Sequence, residues 1–133
     1  ALPSQPRPPA AQTGKTILVV DDEDAVRRAT AAILARRGYR VLAASSGPEA
    51  LALLAGEPDV DLLLTDVIMP EMGGRDLAAR ARAVRGDLKV AFISGFTDDE
   101  ILRRAVSDAD FALLQKPFSS AELIAHVQAA MGG

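Results

Sequence analysis

Val19-Val20-Asp21-Asp22-Glu23 closes an apolar stretch near the start of the chain and places paired carboxylates where that stretch ends. The same arrangement recurs downstream. The apolar run from Val60 to Leu64 ends in Thr65-Asp66, a third run ends in Ser94, and a fourth ends in Lys116. Acid, hydroxyl and amine thus fall at equivalent places in a repeated unit. That is the pattern of a site built on a parallel sheet, where ligands bind beyond the carboxyl ends of the strands at the point where the strand order reverses.

The units can be read outward from these ends. Thr16 to Val20 reads as the first strand and Asp24 to Arg37 as the first helix, with Ala25, Val26, Ala29, Ile33 and Leu34 at roughly helical spacing and Gly38 as the breaker. Tyr39 to Ala43 reads as a strand and Pro48 to Leu54 as a helix, entered from Ser46-Gly47 and closed by Gly56-Glu57-Pro58. Val60 to Thr65 is almost wholly apolar, as expected of a strand covered on both faces at the sheet centre. Gly74 to Val84, Lys89 to Ile93, Asp98 to Val106, Phe111 to Gln115 and Ser119 to Met131 complete the alternation, with Ser119 or Ser120 as the last helix's cap and Glu122 near its first turn. Five strand-helix units with short connections imply right-handed crossovers and helices on both faces of a parallel sheet.

A length of 133 residues suits one domain with a modest core. Residues 1–14 contain Pro3, Pro6, Pro8 and Pro9 and little to bury, so they read as a flexible tail or linker, leaving 15–133 as the domain. The absence of cysteine removes disulfides and thiol catalysis and fits a reducing, cytoplasmic setting. A net charge of -3 provides no basic surface for nucleic acid, and no apolar run is long enough for direct insertion into a membrane. The parent protein is still free to be membrane-attached.

Asp21, Asp22 and Asp66 on one rim would repel one another unless a cation or proton offsets them. Hard oxygen donors in that number suit Mg2+, with Mn2+ as a substitute. A solvated acidic rim is the plain alternative, and Lys116 weighs against it. A lysine after an apolar strand and before Pro117 can neutralise an anionic ligand as a point charge. Ser94, with Gly95 beside it, could bond a phosphoryl oxygen, although a turn or cap serine has the same composition. Together the set describes phosphoryl transfer onto Asp66, the acid that follows the most apolar strand.

With these residues in place, the chain from Lys15 to Met131 resembles a receiver domain of a two-component response regulator. The motifs are Asp21-Asp22, Asp66 followed by Met69-Pro70-Glu71-Met72-Gly73-Gly74, Ser94-Gly95, and Lys116-Pro117-Phe118. The resemblance implies an α/β fold of the flavodoxin-like or CheY-like kind, with a five-stranded parallel sheet in the order 2-1-3-4-5 and five helices. It implies that Asp66 accepts phosphate from a histidine, that Asp21, Asp22, Asp66 and the Ile68 carbonyl hold magnesium, and that Ser94 and Lys116 act on the phosphoryl group. The Lys116-Pro117 bond is expected to be cis. The wording of Ser94-Gly95-Phe96 and Gln115-Lys116-Pro117-Phe118 is most similar to receivers of hybrid sensor histidine kinases, in which case the proline-rich start is a tether and Gly132-Gly133 lies at or near a parent's end.

The resemblance carries further expectations. Leu113 stands three positions before the lysine, where relatives often have a switching aromatic, so switching would run through loop and helix movement or be weakly coupled. Ile68 and Phe96 flank the site, and their apolar side chains cannot position an attacking water, which implies a long-lived phosphoryl group. The implied partners are a histidine kinase or histidine phosphotransfer protein, approaching Ala25, Val26 and Ala29, some of which core burial explains equally well, and a second copy through the region from 98–106 to the last helix; Ile101 and Val106 in that region read first as core residues. A phosphorylation-independent receiver is one alternative. An aspartate-nucleophile phosphohydrolase is another, but Ile68 stands where its second aspartate would be needed. His126 sits in an ordinary amphipathic helix and reads as inert, and Gly14-Lys15-Thr16 lacks the glycine framework of a phosphate-binding loop.

Overall fold

The computed structural model describes residues 14–95 and 112–132. The expectations for the tail, Phe96, the helix over 98–106 with Ile101 and Val106, and Phe111 lie outside these residues. Within them the elements run β1 (Thr16–Val20), α1 (Asp24–Arg36), β2 (Arg40–Ala44), α2 (Gly47–Gly56), β3 (Leu62–Asp66), α3 (Gly74–Val84), β4 (Lys89–Ser94), β5 (Ala112–Gln115) and a C-terminal helix (Ser120–Ala130). The strands form one sheet in the order β2-β1-β3-β4-β5, and every pairing is parallel.

Alternation of side chains along each strand divides the interior into two layers. Ile17, Val19, Leu62, Leu64 and Ile93 pack with Leu34 of α1 and with Leu123 and Val127 of the C-terminal helix. Leu18, Val20, Leu63 and Phe92 pack on the other face with Leu54 of α2 and with Leu77, Ala78 and Ala81 of α3. Because β1 and β3 are buried along their whole length, they carry apolar residues on both faces, as the run before Asp66 suggested. Each large aliphatic residue buried in this way contributes about 1.5–3 kcal/mol.

The element ends depart from the sequence reading by one or two residues, each for a visible reason. Tyr39 N–H donates back to the Leu34 carbonyl at 3.2 Å, so the chain is still closing α1 and β2 starts at Arg40. Asp61 meets Thr16 twice at 2.8 Å, its N–H donating to the Thr16 carbonyl and its carboxylate accepting from the Thr16 N–H, so a side chain joins the pairing just before β3, which begins at Leu62 and includes Asp66. Ser46 caps α2, its hydroxyl accepting from Glu49 N–H at 3.3 Å, and admits Gly47 into the first turn. Of the two cap options at the last helix, Ser119 is the one used: its hydroxyl accepts from Glu122 N–H at 3.0 Å, and the Glu122 carboxylate accepts from Ser119 N–H at 2.8 Å.

Candidate functional site

The sheet's hydrogen bonding continues one residue past several strand ends and so fixes the backbone from which the polar side chains project. Asp21 N–H donates to the Ala44 carbonyl at 3.2 Å, Val67 N–H to Ile93 at 3.0 Å, and Lys116 N–H to Ser94 at 2.7 Å. Asp21 is then held into a tight turn by Glu23 N–H, which donates to its Oδ1 at 2.9 Å. Arg27, one turn into α1, donates to the Asp21 carbonyl at 3.0 Å and to Asp24 Oδ1 at 2.6 Å.

On this frame Asp21, Asp22 and Asp66 each offer a carboxylate oxygen, and the oxygens all lie within 4.8 Å of one another. Asp21 and Asp66 are buried and Asp22 is exposed. Lys116 reaches them from the end of β5, with Nζ 3.1 Å from Asp21 Oδ2 and 3.4 Å from Asp66 Oδ2. A third acid, Glu23, meets the same ammonium at 2.7 Å. The Lys116-Pro117 peptide is cis.

The electrostatics follow from burial and like charge. Burial raises the Asp21 carboxyl above its usual range, opposed by the Glu23 N–H and by Lys116. Asp66 is raised to about 6, first by burial and then by the charge of Asp21, with Lys116 opposing. Burial works against the Lys116 ammonium, but the hydrogen bond it donates to Glu23 and the charges of Asp66 and Asp21 prevail and hold it above its ordinary value. Three acids around one lysine leave the pocket short of positive charge.

Ser94 ends β4, one residue beyond Ile93, the register partner of Asp66. It is buried, and its Oγ makes no hydrogen bond among the described residues. Ile68, two residues beyond Asp66, is 44% exposed. Leu113 pairs with Phe92 on β5 and is 37% exposed, so it is not locked into the core. His126 is half-buried, and a ring nitrogen lies 3.1 Å from the Phe92 carbonyl; burial lowers its pKa.

Three contributors were not assigned roles from the sequence. Glu23 was visible only as the third acid of its run, and Arg27 gave no signal. Gly74 carries no sequence signal beyond its place in the motif after Asp66, yet it packs so closely that a Cβ there would overlap the Asp66 carbonyl oxygen.

The response regulator receiver domain family matches residues 17–128. The chain belongs to the response regulator receiver family. The receiver is 44% identical over 116 residues to the sensor kinase CckA of Brucella abortus (strain 2308), a match covering 85% of this chain and 12% of that protein. It is 37% identical over 114 residues to the response regulator receiver protein CpdR of the same organism, covering 86% of this chain and 94% of CpdR. Among solved structures, the receiver domain from the hybrid histidine kinase CckA superposes with a TM-score of 0.72 at 36% identity, covering 87% of this chain and 98% of that one.

This receiver is therefore related to those of CckA-like hybrid kinases, and its fold is the expected five-stranded one. Its clustered carboxylates form the acidic triad typical of phosphoaccepting receivers.

Proposed function

We propose that this receiver accepts a phosphoryl group from a partner's histidine onto Asp66, in a two-component phosphorelay. The observation that carries the reading is a buried carboxylate at the end of a central strand, with two further carboxylates within 4.8 Å and a lysine ammonium 3.4 Å away. Asp66 Oδ forms the new bond to phosphorus as the bond from phosphorus to the donor imidazole breaks, and that imidazole leaves with the electron pair. Lys116 offsets charge on the phosphoryl oxygens, and the buried Ser94 hydroxyl, free of other hydrogen bonds among the described residues, donates to one of them.

The donor set fits a hard divalent cation: three clustered carboxylates, two of them buried and raised by their surroundings. Asp21, Asp22, Asp66 and the Ile68 carbonyl would hold Mg2+, or Mn2+ in its place. When bound, the ion supplies charge neutralisation for the transferring group. Labelling with acetyl phosphate and magnesium, read by intact mass, tests the assignment; an adduct that persists in Asp66→Asn would sink it.

Ile68 supports a long lifetime, since its exposed apolar side chain can neither bond nor orient an attacking water. Phe96 is assigned the same effect. The adduct is expected to last minutes or longer in magnesium, and Ile68→Asn to shorten it several-fold, followed by mass after the donor is removed. Loss within seconds in the unsubstituted chain would count against this role.

A histidine kinase or histidine phosphotransfer protein is the proposed donor. Ala25 and Ala29 stay exposed on α1 and Val26 is half-buried, so the helical pattern does not bury this stripe. They line an apolar groove of about 310 Å³ with Pro117 and Phe118, and Lys116 forms part of its wall. A helix carrying the donor histidine could lie there and present its ring to the site. Ala29→Arg is expected to slow transfer from a phosphorylated histidine protein at least tenfold while labelling by acetyl phosphate persists; equal slowing of both would place the groove outside docking.

A second copy docking through the region from 98–106 to the C-terminal helix is part of the proposal, and sedimentation before and after labelling tests it. Switching is assigned to Ser94 with loop and helix movement, and Leu113, which replaces the aromatic of relatives, is assigned a weakly coupled part in it. Residues 1–14 are assigned as a linker to 15–133, in a cytoplasmic setting that includes a membrane-attached parent. No described helix is long and apolar enough to cross a membrane.

A further inference from the structure

Glu23 has no part in the phosphoacceptor reading, yet it makes the shortest of the three contacts to Lys116. Nζ lies 2.7 Å from Glu23 Oε1, against 3.1 Å from Asp21 Oδ2 and 3.4 Å from Asp66 Oδ2. The Glu23 side chain is 60% exposed, whereas those of Asp21 and Asp66 are 2% and 8% exposed. The ammonium is therefore shared between one wet acid at the rim and two dry ones inside. Glu23 is the N-cap residue of α1, but its side chain makes no cap hydrogen bond, so its carboxylate serves Lys116 and not the helix. The turn that carries it is fixed on both sides, by Glu23 N–H on Asp21 Oδ1 and by Arg27 on the Asp21 carbonyl.

We propose that Glu23 is a positioning residue for Lys116, holding the ammonium at the outer lip of the acidic pocket before transfer and yielding it to the phosphoryl oxygens as Asp66 is modified. The inference rests on the phosphoacceptor reading of Asp66. A lysine suits the exchange because its charge is compact and its stem flexible. An ion pair with an exposed carboxylate is weakly held in water, so the incoming phosphoryl group can win the ammonium. Until it does, Glu23 competes for the charge that the transferring group needs. Afterwards Glu23 is left as an unpaired anion at the site's edge, beside the first turn of α1.

The test is a double-mutant cycle on labelling by acetyl phosphate in saturating magnesium, timed by intact mass, with the unsubstituted chain, Glu23→Gln, Lys116→Met and the double variant. Glu23→Gln is expected to raise the maximal rate about twofold to fivefold, the span set by an exposed ion pair, and to do nothing when Lys116 is already gone. A second measurement is independent of rate. The Lys116 ammonium resonance in 15N NMR should move on Glu23→Gln before labelling and coincide in the two proteins after it. An unchanged rate in Glu23→Gln, the same acceleration without Lys116, or an unmoved ammonium resonance overturns the inference while leaving Asp66 as the acceptor. Failure of the unsubstituted chain to form an adduct overturns both.

Discussion

Asp66→Asn is expected to abolish the phosphoryl adduct, lowering its yield at least a hundredfold, and at the same time to make the metal-free protein more stable at neutral pH. The first effect follows from chemistry: the amide offers no anionic oxygen to attack phosphorus. The second follows from the position of the carboxylate, buried beside Asp21 and held at about 6, above its ordinary value of 3.8. The folded state binds this proton more tightly than the unfolded chain does. The stability it contributes is complete below about pH 4 and is lost as pH rises through 6. At pH 8 in a chelator the ionised group weakens the fold by on the order of 2–3 kcal/mol relative to pH 4, and asparagine escapes that penalty. Urea denaturation of both proteins at the two pH values checks it. A gap between them that does not widen with pH would refute the account, and added magnesium should narrow it at pH 8 by binding only the folded carboxylates.

Gly74→Ala is expected to destabilise the domain by about 3 kcal/mol and to impair labelling beyond what the lost stability explains. The added Cβ would overlap the Asp66 carbonyl oxygen and approach Val67 Cα to 3.0 Å, and neither atom belongs to a side chain that can turn away. Gly74 N–H also donates to the Val67 carbonyl at 2.7 Å, so α3 cannot move back without losing that bond. The strain would fall on the backbone of the proposed acceptor. Gly56→Ala is the natural comparison: it lies in α2 with nothing within 4 Å of the new carbon, and it should gain about 0.5–1 kcal/mol from helix propensity. Equal midpoints for the two variants in a thermal melt would show that the contact at Gly74 relaxes freely.

Much of this architecture was legible because the decisive signals are local. An unbroken apolar run identifies β3 as central, and a Ser and a Glu three residues apart mark the last helix, which the structure realises as a reciprocal cap. Strand ends differ from the sequence reading where an interaction distant in sequence bears on them, as where the Asp61 carboxylate accepts from the Thr16 N–H. The carboxylates and Lys116 could be gathered because parallel strands deliver their ends to one edge. The roles of Glu23 and Arg27 could not, since each depends on a side-chain path across the rim that periodicity does not encode. Helix α1 shows the same limit from the other side. Its apolar spacing marks a face, but the pattern cannot say that Thr30 is buried while Ala25 and Ala29 stay in water.

The sheet divides the interior into two apolar layers that share no side chain among the described residues. The groove of α1 and Phe118 lies over one of them, while Gly74 and the α2-α3 pair belong to the other. With the donor docked on the proposed α1 groove, substitutions that alter who is recognised would accumulate there without repacking the opposite layer. Duplicated copies of such a domain could drift apart in partner choice while keeping the same chemistry, so that parallel signalling lines in one cell stay insulated from each other.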